Sequence, residues 1–289
     1  KAAIGIGGLY IFVDYNRKLY MYINNLTNRI GELEKAKSAA DQVFELLDIH
    51  PYLDGKEVIQ DLKGDIKFDK VTFSYNDDEE VLKDINLNIA AGESCAFVGH
   101  TGSGKSTIMN LIYGFYKINR GRLSFDGKDI NDLNMVETRK QMAIVFQNPY
   151  IFEGSIYDNI ALFDDSISRE DAINALINVG GERILIRENG ILAHIQEGGG
   201  GFSAGEKQLI SFARAMVRNP KILVLDEATA NVDTETEEYI QYGVNKLKKG
   251  RTTLIIAHRL STIKEVDKIY VLNDGRIVER GNHDQLIEH

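Results

Sequence analysis

The residues whose types and spacing point most directly to chemistry are Gly99-His100-Thr101-Gly102-Ser103-Gly104-Lys105-Ser106, followed by Thr107. They fit G-x-x-x-x-G-K-[ST] without a mismatch, after a short apolar run and before a helical one, which is the context this pattern requires. The glycines permit a tight loop whose backbone N–H groups converge on phosphate oxygens, and the helix start behind them adds partial positive charge. In such a loop Lys105 supplies a point charge to the β- and γ-phosphates, and the Ser106 hydroxyl is a Mg²⁺ ligand. The run from Gly99 to Thr107 is therefore expected to bind ATP with Mg²⁺. A glycine-rich turn that binds nothing has no need of Lys and Ser in register.

A second anchor is Leu223-Val224-Leu225-Asp226-Glu227. An apolar strand there would carry Asp226 to the edge of a sheet, where it can hold Mg²⁺ through water. Glu227 would then stand where a carboxylate polarises an attacking water. His258 follows the apolar run Thr253 to Ala257, and Gln147 follows Ala143 to Phe146. The first is placed to contact a γ-phosphate, and the amide oxygen of the second to join the Mg²⁺ shell. Tyr75, taken alone, reads as an aromatic that packs a hairpin. Gly198 to Glu206 is a run of small residues before a helix. It is either a flexible loop ending in the N-cap Ser203 or a second phosphate-facing helix start. No strand precedes it, so it would face another molecule's nucleotide.

The elements that must position these residues can be read from periodicity. From Leu19 to Leu47 apolar residues recur at alternating four- and three-residue spacing, one stripe along a long helix. Ala2 to Val13 is a separate apolar segment, ended by Asp14, Arg17 and Lys18. At about twelve residues it is shorter than the ~20 that a membrane-spanning helix needs. Pro51 and Gly55 break the helix, and Asp54 to Lys63 reads as a linker. Ile66–Phe73 and Val81–Ile89 alternate like strands around an acidic turn, Asn76 to Glu80. Cys95–Val98, Ala143–Phe146, Ile222–Leu225 and Thr253–Ile256 are short apolar strands. A hairpin is expected around Gly127 and another around Asp274-Gly275. Helices are expected over Ser106–Phe115, Gly205–Val217 and Thr234–Leu247, and through most of Ser155–Asn189. Apolar strands separated by helices indicate a parallel sheet covered on both faces.

Bulk properties narrow the class further. Hydrophobic residues make up 43% and charged residues 27% of the 289, as in an ordinary globular chain able to build a core. The formal net charge of -9 argues against a nucleic-acid backbone as the main partner. A single cysteine, Cys95, rules out an internal disulfide and reads as a small core residue.

With these motifs in hand, the chain from about Ile66 onward resembles the nucleotide-binding domain of an ABC transporter. Tyr75 matches the A-loop, Gly99–Thr107 Walker A, Gln147 the Q-loop and Phe202–Glu206 the signature. Leu223–Glu227 match Walker B, Ala230–Asp233 the D-loop and His258 the switch histidine. The segment Gln196-Glu197-Gly198-Gly199 and the long helix ending at Asp48 are similar to those of exporters. The resemblance implies an α/β fold: a P-loop NTPase core with a parallel sheet, an antiparallel β subdomain and a helical subdomain, preceded by a long N-terminal helix. It implies a membrane-domain remnant and connecting helix at 1–50, a linker at 51–65 and the ABC ATPase domain at 66–289.

It also implies ATP and Mg²⁺ as cofactors and Tyr75 as a platform for adenine. Catalytic roles fall to Glu227, His258 and Gln147, and Mg²⁺ contacts to Ser106, Gln147 and Asp226. The signature residues Ser203, Ala204, Gly205 and Glu206 would serve the nucleotide of a second ABC ATPase domain. A membrane-spanning domain is the other partner, at the cytoplasmic face of the cell membrane, and no nucleic acid is expected. The family's usual signature is Leu-Ser-Gly-Gly-Gln, whereas this chain has Phe202-Ser203-Ala204-Gly205-Glu206. A carboxylate suits a helix N-terminus but not nearby phosphates, so the departure raises a heterodimer with unequal sites beside the homodimer. The alternative, a non-transport ABC ATPase acting on a macromolecular assembly, is disfavoured by the exporter-type segment and the leading helix. A regulatory module without turnover is disfavoured by the presence of both Glu227 and His258.

Overall fold

The computed structural model describes residues 5–48, 55–76, 79–226, 234–256 and 263–288. It divides into two compact units, Lys1–Leu53 and Asp54–His289. Glu227, the Ala230–Asp233 segment and His258 lie outside the described residues.

The first unit is built on one helix of 42 residues, α1 (Ile6–Leu47). The sequence suggested a helix from Leu19 and a separate apolar segment ending near Asp14. The helix instead continues through both, because charged residues end an apolar run without ending a helix. Lys18 pairs with Asp14 one turn earlier at 2.7 Å, a spacing that favours the helical backbone. No helix among the described residues is long and apolar enough to cross a membrane.

The second unit begins with 55–65, which forms no named strand or helix but is laced into the core. Ile59 and Leu62 are buried. The Gln141 side chain donates to the Ile59 carbonyl (2.6 Å) and accepts from the Leu62 N–H (2.9 Å). Strands β1 (Ile66–Phe73) and β2 (Leu82–Ile89) form an antiparallel pair. Next come β3 (Ser94–Val98), α2 (Lys105–Ile112), β4 (Arg120–Phe125), β5 (Lys128–Asp129), α3 (Met135–Arg139) and β6 (Met142–Val145). A largely helical stretch holds β7 (Gly154–Ser155), α4 (Ile156–Ala161), α5 (Arg169–Asn178), β8 (His194–Ile195) and α6 (Ala204–Val217). The chain closes through β9 (Ile222–Asp226), α7 (Thr234–Lys248), β10 (Thr252–Ile256), β11 (Lys268–Asn273) and β12 (Arg276–Gly281), then a short helix His283–Ile287.

Two sheets result. One is antiparallel, in the order β2-β1-β4-β5; the other runs β12-β11-β3-β10-β9-β6, parallel except for β12 at its edge. Side chains alternate across a strand, and here the alternation sorts them into two cores. Cys95, Phe97, Ile222, Val224, Leu254 and Ile256 join the antiparallel sheet and α2. Ala96, Leu223, Leu225 and Ile255 face the helical stretch and α7. Both faces are covered, which explains why β9 and β10 read as unbroken apolar runs. Cys95 is fully buried and burial pushes its thiol well up, so it is a packing residue and not a reactive one.

One buried polar side chain ties α4 to the segment that leads into it, and its backbone carbonyl is held by α6. Asn159 is fully buried; its oxygen accepts the Phe152 N–H (2.9 Å), and its NH₂ donates to the carbonyls of Phe152 (2.9 Å) and Ser155 (3.0 Å). Arg214 of α6 donates to the Asn159 carbonyl (2.8 Å). Changing Asn159→Leu keeps the approximate volume and leaves those three backbone groups unpaired. We expect a loss of about 3 kcal/mol, roughly 10 °C in melting temperature for a unit of this size. An unaltered thermal melt followed by circular dichroism would contradict the role assigned to this amide.

Candidate functional site

A parallel sheet delivers the C-terminal ends of its strands to one edge, and ligands bind outside that edge. Here β3 runs into Gly99, β6 leads to Gln147, and β9 ends at Asp226. The three converge on one cavity of about 430 Å³. It is lined by Tyr75, Val81, Thr101, Gly102, Gly104, Lys105, Ser106, Thr107, Gln147, Asp226 and Ile256. Most of the residues expected from sequence to touch a nucleotide thus meet in one place.

The loop between β3 and α2 has the backbone that its glycines allow. Gly104 adopts a left-handed conformation (φ 102°) at the start of α2, and no side chain caps that helix end. A Cβ at Gly104 would also lie 2.6 Å from the Leu82 side chain. The uncapped helix start faces the cavity with Lys105 and Ser106, a combination suited to an anion. Lys105 is buried, and its ammonium donates to the carbonyls of Gly99 (2.7 Å) and His100 (2.9 Å), folding the side chain along the loop.

Three loop residues, Gly99, His100 and Ser103, do not line the cavity. Ser103 is buried behind the loop. The His100 ring turns the other way, with Nδ1 at 2.8 Å from the Thr101 carbonyl and Nε2 at 2.9 Å from Asn273 Oδ1. The Thr101 carbonyl and the Asn273 amide hold this imidazole above its usual pKa, and the Asp274 carboxylate at 3.6 Å adds to them. His100 therefore braces the loop against the β11–β12 turn, while its backbone carbonyl serves Lys105.

Tyr75 is half-exposed at the cavity wall and its orientation is fixed from both ends. Its hydroxyl donates to Thr107 Oγ1 (3.1 Å) and accepts from Asn110 Nδ2 (3.2 Å), both on α2. Its ring meets those of Phe73 and Tyr116 edge-on, with centroids 4.9 Å away in each case. Tyr116 and Asn110 were not singled out from the sequence. Their only signal is position: Asn110 stands one helical turn from Thr107, and Tyr116 just beyond the end of α2.

The signature residues stand elsewhere. None of Ser203, Ala204, Gly205 and Glu206 lines the cavity. Ser203 is the N-cap of α6, closed by a capping box. Its Oγ accepts from the Glu206 N–H (3.2 Å), and Glu206 Oε2 accepts from the Ser203 N–H (2.8 Å). The other carboxylate oxygen takes an ion pair from Arg187 at 2.9 Å. Burial pushes the Glu206 carboxyl up, but the Ser203 N–H and the Arg187 guanidinium outweigh it and hold the group below its usual value. Glu206 is accordingly ionised at neutral pH and its charge is compensated.

Comparison with known proteins agrees with this arrangement. The family model described as ABC transporter matches residues 82–230. A probable multidrug resistance ABC transporter ATP-binding/permease protein of Bacillus subtilis is 46% identical over 286 residues, covering 98% of this chain and 42% of that protein. The ATP-dependent lipid A-core flippase of Escherichia coli is 42% identical over 282 residues, 92% of this chain and 47% of that one. The solved structure of a bacterial Atm1-family ABC exporter with ATP bound superposes with a TM-score of 0.79 at 34% identity, over 97% of this chain and 50% of that chain. The chain spans about half the length of the curated relatives it matches. Its motifs, its sheet and these relatives together show that it belongs to the ABC transporter family and carries that family's nucleotide-binding domain.

Proposed function

We propose that this chain binds ATP with Mg²⁺ in the cavity at the sheet edge and hydrolyses it, coupling that cycle to export across a membrane. The observation that carries the reading is the convergence of Lys105, Ser106, Gln147 and Asp226, from three different strand ends, on one cavity whose wall holds Tyr75. In this reading Tyr75 stacks on adenine, and the backbone of Gly99–Thr107 with Lys105 holds the phosphates. The Ser106 hydroxyl, the Gln147 amide oxygen and the Asp226 carboxylate hold Mg²⁺. Among the described residues no cluster of three or more His, Cys, Asp or Glu could cage a metal ion. That set fits a cation arriving with the nucleotide, its remaining ligands being phosphate and water oxygens. Glu227 polarises the attacking water and His258 contacts the γ-phosphate.

Ser203, Ala204, Gly205 and Glu206 complete the site of a second ABC ATPase domain, and that domain's signature completes this one. Their absence from the cavity supports a division of each site between two domains. The relatives' length supports a membrane-spanning domain as the other partner, at the cytoplasmic face of the membrane, with residues 1–50 its remnant and connecting helix, 66–289 the ATPase, and 51–65 a linker whose later part is anchored on the ATPase. The test is phosphate release from ATP by the chain assembled with its second ATPase domain. Release should need Mg²⁺ and stop in excess EDTA; a rate that persists without divalent cations would overturn the Mg²⁺ assignment.

A further inference from the structure

The signature Phe202-Ser203-Ala204-Gly205-Glu206 carries two side chains, Phe202 and Glu206, that both meet one residue from outside the motif. Arg187 lies 19 positions before Glu206. Its guanidinium stacks on the Phe202 ring (4.0 Å to the centroid), donates to the Gly201 carbonyl (3.1 Å) and donates to Glu206 Oε1 (2.9 Å). A planar fork suits these tasks together, since it can stack through its face while donating through its edge. The glutamate side chain is only 16% exposed, so the pair is partly withdrawn from water. Truncating one partner there leaves the other poorly compensated.

We propose that Arg187 is a positioning residue for the signature: with Glu206 it forms a charge-neutral substitute for an amide, holding the start of α6 open for the γ-phosphate of a second domain's ATP. This rests on the two-domain reading above. A lone carboxylate at that place would repel phosphate. With Oε2 on the Ser203 N–H and Oε1 on Arg187, the charge is balanced and both oxygens are turned toward their own chain. The Ser203 hydroxyl oxygen accepts the Glu206 N–H and the hydroxyl also leans on the Glu206 carboxylate, so the two side chains are held together at the start of α6. Phe202, stacked under the same guanidinium, fixes the entry angle of the chain.

The test is a charge cycle on the assembled ATPase, reading kcat and KM for ATP together with the melting temperature. Arg187→Met should lower kcat/KM about tenfold, the size of a lost charge-assisted contact. Arg187→Lys keeps the charge without the stack and should lose less. The double variant Arg187→Met/Glu206→Gln should recover most of the loss, because the amide restores neutrality. Its melting temperature should nevertheless stay at that of Arg187→Met, since the stack on Phe202 is still missing. If the double variant is as slow as Arg187→Met, Arg187 only braces the fold and the proposal fails. A wild-type rate for Arg187→Met beside an impaired Ser203→Ala also overturns it, leaving the two-domain reading intact. Ser203→Ala without effect would overturn that reading and the role of Arg187 with it.

Discussion

Replacing Lys105 with Ala should raise the dissociation constant for ATP about a hundredfold. One ammonium reaching two phosphates contributes about 3 kcal/mol, which corresponds to that factor. Part of the effect has a structural origin. The same ammonium donates to the Gly99 and His100 carbonyls of its own loop and is buried against it. Truncation removes the phosphate contact and the two donations that shape the loop around it. The melting temperature without nucleotide separates these contributions. If the unliganded melt is unchanged while fluorescent-ATP titration shows the hundredfold loss, the phosphate contact carries the effect. Near-native affinity would undercut the assignment of the loop. His100 supplies a contrast. Its side chain is turned to Asn273 and Asp274, and only its carbonyl serves the loop.

The second large effect is expected from Glu227→Gln. Asp226 ends β9 at the cavity, and Glu227 is the next residue in the chain. A carboxylate that polarises water accelerates its attack by about a hundredfold or more. The amide has nearly the same volume and no basicity, so steady-state phosphate release should fall by at least that factor. ATP binding should persist, because Lys105, Ser106 and Tyr75 are untouched. Turnover within a fewfold of wild type would remove Glu227 from the role of base.

What could be read in advance divides along physical lines. The phosphate loop was legible because its requirements are local: glycine backbone, a cation and a hydroxyl within one turn, set between a strand and a helix. The short strands were legible because they are buried on both faces and hence continuously apolar. The long N-terminal helix was legible but its start at Ile6 was not, since hydropathy marks where a surface changes and Asp14 and Lys18 change the surface without breaking the helix. Glu206 shows a different limit. Its charge near a phosphate site looked unfavourable in isolation, and the compensating cation stands in a separate turn after residues 182–186. Nothing in the local pattern joins Arg187 to the signature; only the folded chain brings them together. The same holds for Tyr75, whose fixed orientation depends on α2 and Tyr116.

The Gln141 side chain has a mechanical consequence. It grips residues 59–62 at two backbone atoms, and Leu62 is wholly buried beside it. Tension applied to the chain ahead of Ile59 meets first the backbone pairing of Glu57 with Asp132 and Asn134 and then this anchor, so the segment resists being peeled from the surface. Load carried past Glu57 is passed on to Gln141, the residue just before β6, whose far end leads to Gln147 at the cavity.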